Sequence, residues 1–155
     1  MPVYPKMPRD LDPIRIKSVD TWETSHGPEA LKRSVYVFQR RSQNFGLLET
    51  LDAPVPNATC DRRRDSVTAL QALSLYNGEF VNEEAAHLAE RLRNEAGPDA
   101  REQIDQAFLL AFGRNPEARE KDRLLQFMRS LGDPREAAIG LSRIIFNSNE
   151  FVYID

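Results

Sequence analysis

Hydrophobic positions follow two regimes along the chain. From Thr68 onward they recur at helical spacing. Leu70, Leu73 and Tyr76 share one face. Val81, Ala85, Leu88 and Leu92 share a second, and Ile104, Phe108, Ala111 and Phe112 a third. Leu124, Leu125, Met128 and Leu131 form a fourth, and Ala137, Leu141, Ile144, Ile145 and Ser148 a fifth. Punctuation separates the runs. Thr68 with Gln71, and Asp99 with Glu102, are capping-box patterns, in which side chains satisfy the free amides of a helix start. Asn115-Pro116 is predicted to open a helix with Pro at its first position, and Asp133, Pro134 and Glu136 to open the last one. Asn77-Gly78, Gly97, Gly113 and Gly132 end the runs. Loops of a few residues favour antiparallel neighbours. The pattern therefore predicts a mainly α fold, about five helices in an antiparallel bundle-like array.

The chain before Thr68 is irregular. Residues 1–32 are dominated by Pro, Asp and Ser and read as an irregular N-terminal segment, expected to be truncated from a larger parent domain. Ser34 to Gln39 is β-branched and aromatic, which predicts a short strand; one or two such strands are expected ahead of the helices. Leu47 to Leu51 reads as a helical turn, and Asp52 to Asp65 as a structured loop. Residues 33–155 are thus expected to form the helical part of a domain. An Arg-rich strand-and-loop strap, residues 33–66, would be pinned across its helices.

Composition narrows the function classes. With 41% hydrophobic and 29% charged residues the chain is globular rather than disordered. No apolar run approaches the roughly 18 residues of a membrane span. The net charge is -3, with 11 Lys and Arg against 9 Asp and Glu in residues 1–66 and 10 against 15 in the remainder. Nucleic-acid binding through the arginine run is therefore opposed by an acidic helical half. One cysteine and two histidines, widely scattered, form neither an internal disulfide nor a zinc set, and no metal is expected. There is no C-x-x-C-H, so no cofactor, covalent haem included, is expected on this chain.

The densest polar cluster runs from Asp52 to Gln71. Arg62, Arg63 and Arg64 precede the helix start marked by Thr68 and Gln71, and Arg40 and Arg41 follow the expected strand. Guanidinium forks and helix-start amides both suit an anion, so these residues, with Asp52, Asn57 and Asp61, are the candidate anion- or partner-binding set. A structural alternative has the arginines pairing with Asp52, Asp61, Asp65 and loop carbonyls to hold the segment together. A catalytic alternative uses Asp52 or Asp61 as acid and base of a hydrolase. Cys60 is expected to be a buried, inert thiol, and His87 to lie on the surface.

Five ordered words carry a family resemblance. They are Arg33 to Phe38 with Arg40-Arg41; Leu51 to Pro54 with Asn57 to Cys60 and Arg62-Arg63; Thr68 to Leu73 with Leu75 to Asn77 and Phe80-Val81; Ala111 to Arg114 with Pro116; and Phe146 to Tyr153. Together they resemble the C-terminal part of the domain of unknown function 1553, a family typical of planctomycetes, from about Trp22 to Asp155. Leu51 and Tyr76 stand where that family's pattern has Phe and Leu. Members often carry a companion domain of unknown function 1549 and a planctomycete-type cytochrome c domain. The resemblance implies an extracytoplasmic parent with haem bound elsewhere in it, and it transfers no catalytic residue. The preferred expectation is a non-catalytic binding or assembly module that docks an acidic ligand or neighbouring domains of its parent. The alternative is part of a hydrolase-like enzyme whose site is shared with a further N-terminal portion.

Overall fold

The structure, a computed structural model, describes residues 2–5, 24–39, 45–54, 58–62, 66 and 68–153. Two compact units divide the chain, Met1–Val67 and Thr68–Asp155.

The first unit is organised by a few contacts between distant segments. Val3 is buried and bridges Val37 in parallel. Its amide donates to the Tyr36 carbonyl at 2.8 Å, and its own carbonyl accepts from Phe38 N–H at 2.8 Å. The Tyr4 ring sits 5.0 Å from the Phe38 ring. Tyr4 N–H donates to Ser25 Oγ at 2.9 Å, and Ser25 N–H returns a bond to the Tyr4 carbonyl at 2.7 Å. The strand expected over Ser34 to Gln39 is replaced by a 3-10 turn, Ser34–Tyr36, followed by the single bridge at Val37. Strand propensity is realised only against a pairing partner. Among the described residues the Val3 bridge reaches only Val37, while Val35 stays 76% exposed. The turn expected at Leu47 to Leu51 is a short helix, α1 (Gly46–Thr50).

The second unit is helical: α2 (Ala69–Asn77), α3 (Glu79–Ala96), α4 (Ala100–Phe112), α5 (Ala118–Leu131), α6 (Pro134–Phe146) and the short α7 (Asn149–Val152). The local signals explain most boundaries. Thr68 Oγ1 accepts from Gln71 N–H at 3.2 Å while Gln71 Oε1 accepts from Thr68 N–H at 3.0 Å, the complete capping box. Asp133 Oδ1 accepts from the amides of Arg135 and Glu136, with Pro134 in the first turn. Gly113 ends α4 in the left-handed region at φ 68°, where a side chain would be strained. Asp99 caps α4 by accepting from Arg101 N–H, without a bond from Glu102. Instead of starting at Pro116, α5 starts at Ala118. Its entry is set by Glu120, whose Oε2 accepts from Glu117 N–H at 2.7 Å.

α6 is the central packing element, in contact with α3, α4, α5 and α7. Leu92, Ile104, Ala107, Phe108, Leu125, Met128, Ala137, Leu141 and Ile145 form one buried cluster. Small residues let the helices approach: Ala85 and Ala89 on α3, Ala137, Ala138 and Ser142 on α6, all buried. A Cβ on Gly140 would lie 2.9 Å from the Phe127 ring, so a side chain there would force that ring to shift and loosen the α5–α6 contact. Ser142 is accommodated in the core because its hydroxyl donates to the Ala138 carbonyl at 2.9 Å. Ile144 and Leu131, expected on buried faces, are 39% and 43% exposed. No described helix is long and apolar enough to cross a membrane.

Candidate interaction surfaces

The loop from Asp52 to Ser66 is closed by one carboxylate. Asp52 Oδ2 accepts from Ser66 N–H at 3.0 Å and from the Ser66 hydroxyl. Asp52 holds this position with φ at 58°, a left-handed conformation that Asp tolerates better than most side chains. Its carboxylate is therefore engaged in loop closure. Within the loop, Cys60, Asp61 and Arg62 are exposed. The Cys60 thiol donates to the Arg62 carbonyl at 3.2 Å. Cys60 thus departs from the buried thiol expected, because it rides on a short surface turn. Arg40, Arg41, Asn57, Arg63 and Arg64 lie outside the described residues. Thr68 and Gln71 are spent on each other in the α2 cap, with Gln71 buried. Among the described residues of the predicted site, the contacts shown are the Asp52–Ser66 and Thr68–Gln71 pairs and the Cys60–Arg62 turn.

Three features were not legible as sites in the sequence. The first is an apolar row on α2. Leu70, Leu73 and Tyr76 are 61%, 55% and 57% exposed, and Phe80 in the first turn of α3 is 54% exposed. Periodicity identified the row; only the structure shows that it faces outward. Its C-terminal end is held by Arg143 of α6, whose guanidinium donates to the Tyr76 carbonyl at 3.1 Å and lies 4.8 Å from the Tyr76 ring.

The second is an ion cluster around Arg114. Its guanidinium donates to Glu150 Oε1 and Oε2 at 2.8 and 2.7 Å, and to Glu120 Oε2 and Oε1 at 2.9 Å each. The same group lies 5.1 Å from the Phe108 ring and 5.6 Å from the Phe112 ring. Hydrogen bonds from Arg114 hold both carboxyls below the usual glutamate range, and the two glutamates in turn raise the Arg114 pKa. This arrangement ties α7 to the α4–α5 turn; its donors are used internally and leave no vacancy for a ligand.

The third is a groove of about 510 Å³ between α3 and α6. Ala86, Ala89 and Ile139 line its apolar part, and Glu90, Arg93 and Arg135 its polar part. His87 stands at the same groove, with its Nδ1 3.5 Å from Glu84 Oε1. Arg93 and Arg135 come from different helices, 42 residues apart in sequence, so no spacing announces them. Among the described residues, no group of three or more His, Cys, Asp and Glu side chains is placed to hold a metal.

No curated protein and no solved structure matches the chain. A family model does, over residues 2–128. That span contains four of the five words that carry the resemblance; the last, Phe146 to Tyr153, lies beyond it. A match over most of the chain shows that this protein belongs to the family described as "Protein of unknown function (DUF1553)".

Proposed function

We propose that the chain is a non-catalytic binding or assembly module of a larger multidomain protein. The observation that carries this reading is the outward apolar row of Leu70, Leu73 and Tyr76, with Phe80 exposed at the start of α3. Helix α2 has a complete N-terminal cap, so it is built to persist with that face in water. Contiguous exposed apolar surface is characteristic of protein–protein contact. The exposed Arg62, with its neighbours Arg63 and Arg64, would add affinity for an acidic ligand or an acidic neighbouring domain. Family membership supports an extracytoplasmic parent of planctomycete type, associated with a cytochrome c domain that holds its haem outside this chain. The hydrolase alternative draws less support, because Asp52 is committed to Ser66 while Asp61 is exposed.

The test is a binding measurement between this chain and the separately produced domain encoded ahead of it in its parent. Leu70→Glu with Leu73→Glu should leave helical content unchanged and weaken the complex by about tenfold or more, as expected when apolar anchors are charged. No complex with the parent chain's own domain, or an unchanged affinity in the double variant, would refute the reading.

A further inference from the structure

We infer that α2 is a hinged arm, with Gly78 as its elbow and Arg143 as the latch that holds it bent, and that α2 and α3 join into one continuous helix when the latch is released.

A single residue separates the two helices. α2 ends at Asn77 and α3 begins at Glu79, and Gly78 between them is extended, with φ at -60° and ψ at 131°. The helical bonding register survives on both sides of it. Gly78 N–H donates to the Ser74 carbonyl at 2.8 Å, and Asn82 N–H to the Gly78 carbonyl at 3.1 Å. Both bonds are the four-residue step of an α-helix. Rotation of the backbone at Gly78 is therefore what separates the bent arrangement from a straight one. The bend requires glycine, because a Cβ at this position would collide with the Ser74 carbonyl oxygen, a backbone atom that cannot turn aside. Inside a straight helix the same Cβ is favourable, since alanine is the better helix former.

The latch is a substitute for a helical bond. In an unbroken helix the Tyr76 carbonyl would accept from Phe80 N–H. Here it accepts from Arg143 Nη2 of α6 at 3.1 Å, and the same guanidinium lies 4.8 Å from the Tyr76 ring. The hold has a cost at its own end, for Arg143 Nε is buried without a hydrogen-bond partner among the described residues. A latch that leaves a donor unsatisfied is readily exchanged for the bond that straightening supplies.

Straightening would also reorganise the apolar row. At about 100° per residue, Leu70, Leu73, Tyr76 and Phe80 fall within a sector of about 120° on a continuous helix. The bend divides them, three on α2 and one on α3, with the guanidinium against the Tyr76 ring. A partner that grips all four together would select the straight form. This consequence rests on the reading of the α2 row as a docking face, whereas the elbow and its latch do not.

Double electron–electron resonance on the full chain reads the elbow without any partner. Spin labels go on Ala72→Cys and Glu90→Cys, both exposed positions, with Cys60→Ser removing the natural thiol. The step from Ala72 to Glu90 is about 27 Å at the helical rise on a continuous helix, and the elbow shortens it. The unaltered junction should give mainly the shorter distance. Gly78→Ala and, separately, Arg143→Met should each raise the ratio of long to short by about tenfold, the first through the collision and the second through loss of a charge-assisted bond. Circular dichroism checks that each variant folds, and Arg143→Met decides alone if the Gly78 variant does not. A ratio unchanged within about twofold in the deciding variant, or a long distance already dominant in the unaltered junction, overturns the inference. If distances lengthen in Gly78→Ala while its affinity for the domain encoded ahead of the chain does not rise, the elbow stands and the α2 row loses its role as a docking face.

Discussion

Amides described in Met1–Val67 find several of their partners far away in sequence, whereas those of Thr68–Asp155 find them mostly within a helical turn. Val3 meets Tyr36 and Phe38, Ser25 meets Tyr4, and Ser66 meets Asp52. Each such contact closes a loop, and losing one releases the residues between. In the second unit the backbone is satisfied locally and the helices are joined through one buried cluster centred on α6. The difference teaches where each unit is vulnerable: the first at its individual clasps, the second at its core.

The largest effect is therefore expected in the core. Leu141 is fully buried and belongs to the shared cluster, so Leu141→Ala should cost about 2–5 kcal/mol in denaturant unfolding. A loss well under that, with helicity retained, would mean that the helices do not unfold as one cooperative body.

A smaller and more local effect is expected at Asp52. Asp52→Ala removes the acceptor of both Ser66 bonds and places a less tolerant residue at positive φ, a local cost of about 1–3 kcal/mol. Proteolysis between Ala53 and Asp65 should accelerate while melting of the helical unit is unchanged. If the helices melt earlier as well, the contrast between local clasps and a cooperative core fails.

The smallest effect concerns the tie on α7. Glu120 and Glu150 titrate below the ordinary glutamate value of 4.5 when folded, because Arg114 donates to both. The folded state then binds fewer protons than the unfolded state in this window. The stabilisation is complete above the ordinary value and disappears as pH falls through the lowered folded values. Arg114→Gln should lower the melting temperature modestly at neutral pH, and the gap to the unaltered chain should close below pH 4.5. A gap that persists in acid would show that packing of the guanidinium against Phe108 and Phe112, not charge, is what it contributes.

Helix existence and most helix ends were legible because their causes are local. Thr68 and Gln71, Asp133 and Pro134, and Gly113 act within one turn of the boundary they set. The exception at α5 is instructive. Glu120 both receives Arg114 and caps Glu117, so a contact with the α4–α5 turn shifts the start past Pro116. The candidate site was less legible. Asp52 was singled out there as a binding candidate, whereas the bonds described for it close a loop on Ser66, a partner that its charge does not predict.

The amino-acid order alone thus determined a family, a set of helices and their stops, since capping and periodicity are properties of neighbours along the chain. Which apolar face would be buried was decided by tertiary packing. α2 and α6 both carry a periodic apolar face, yet α6 meets four other helices while the Leu70–Leu73–Tyr76 row of α2 remains in water. The groove with Arg93 and Arg135, and the union of Arg114 with Glu150, were decided the same way. Their members are tens of residues apart, and only packing of small side chains at the helix contacts brings them within reach of each other.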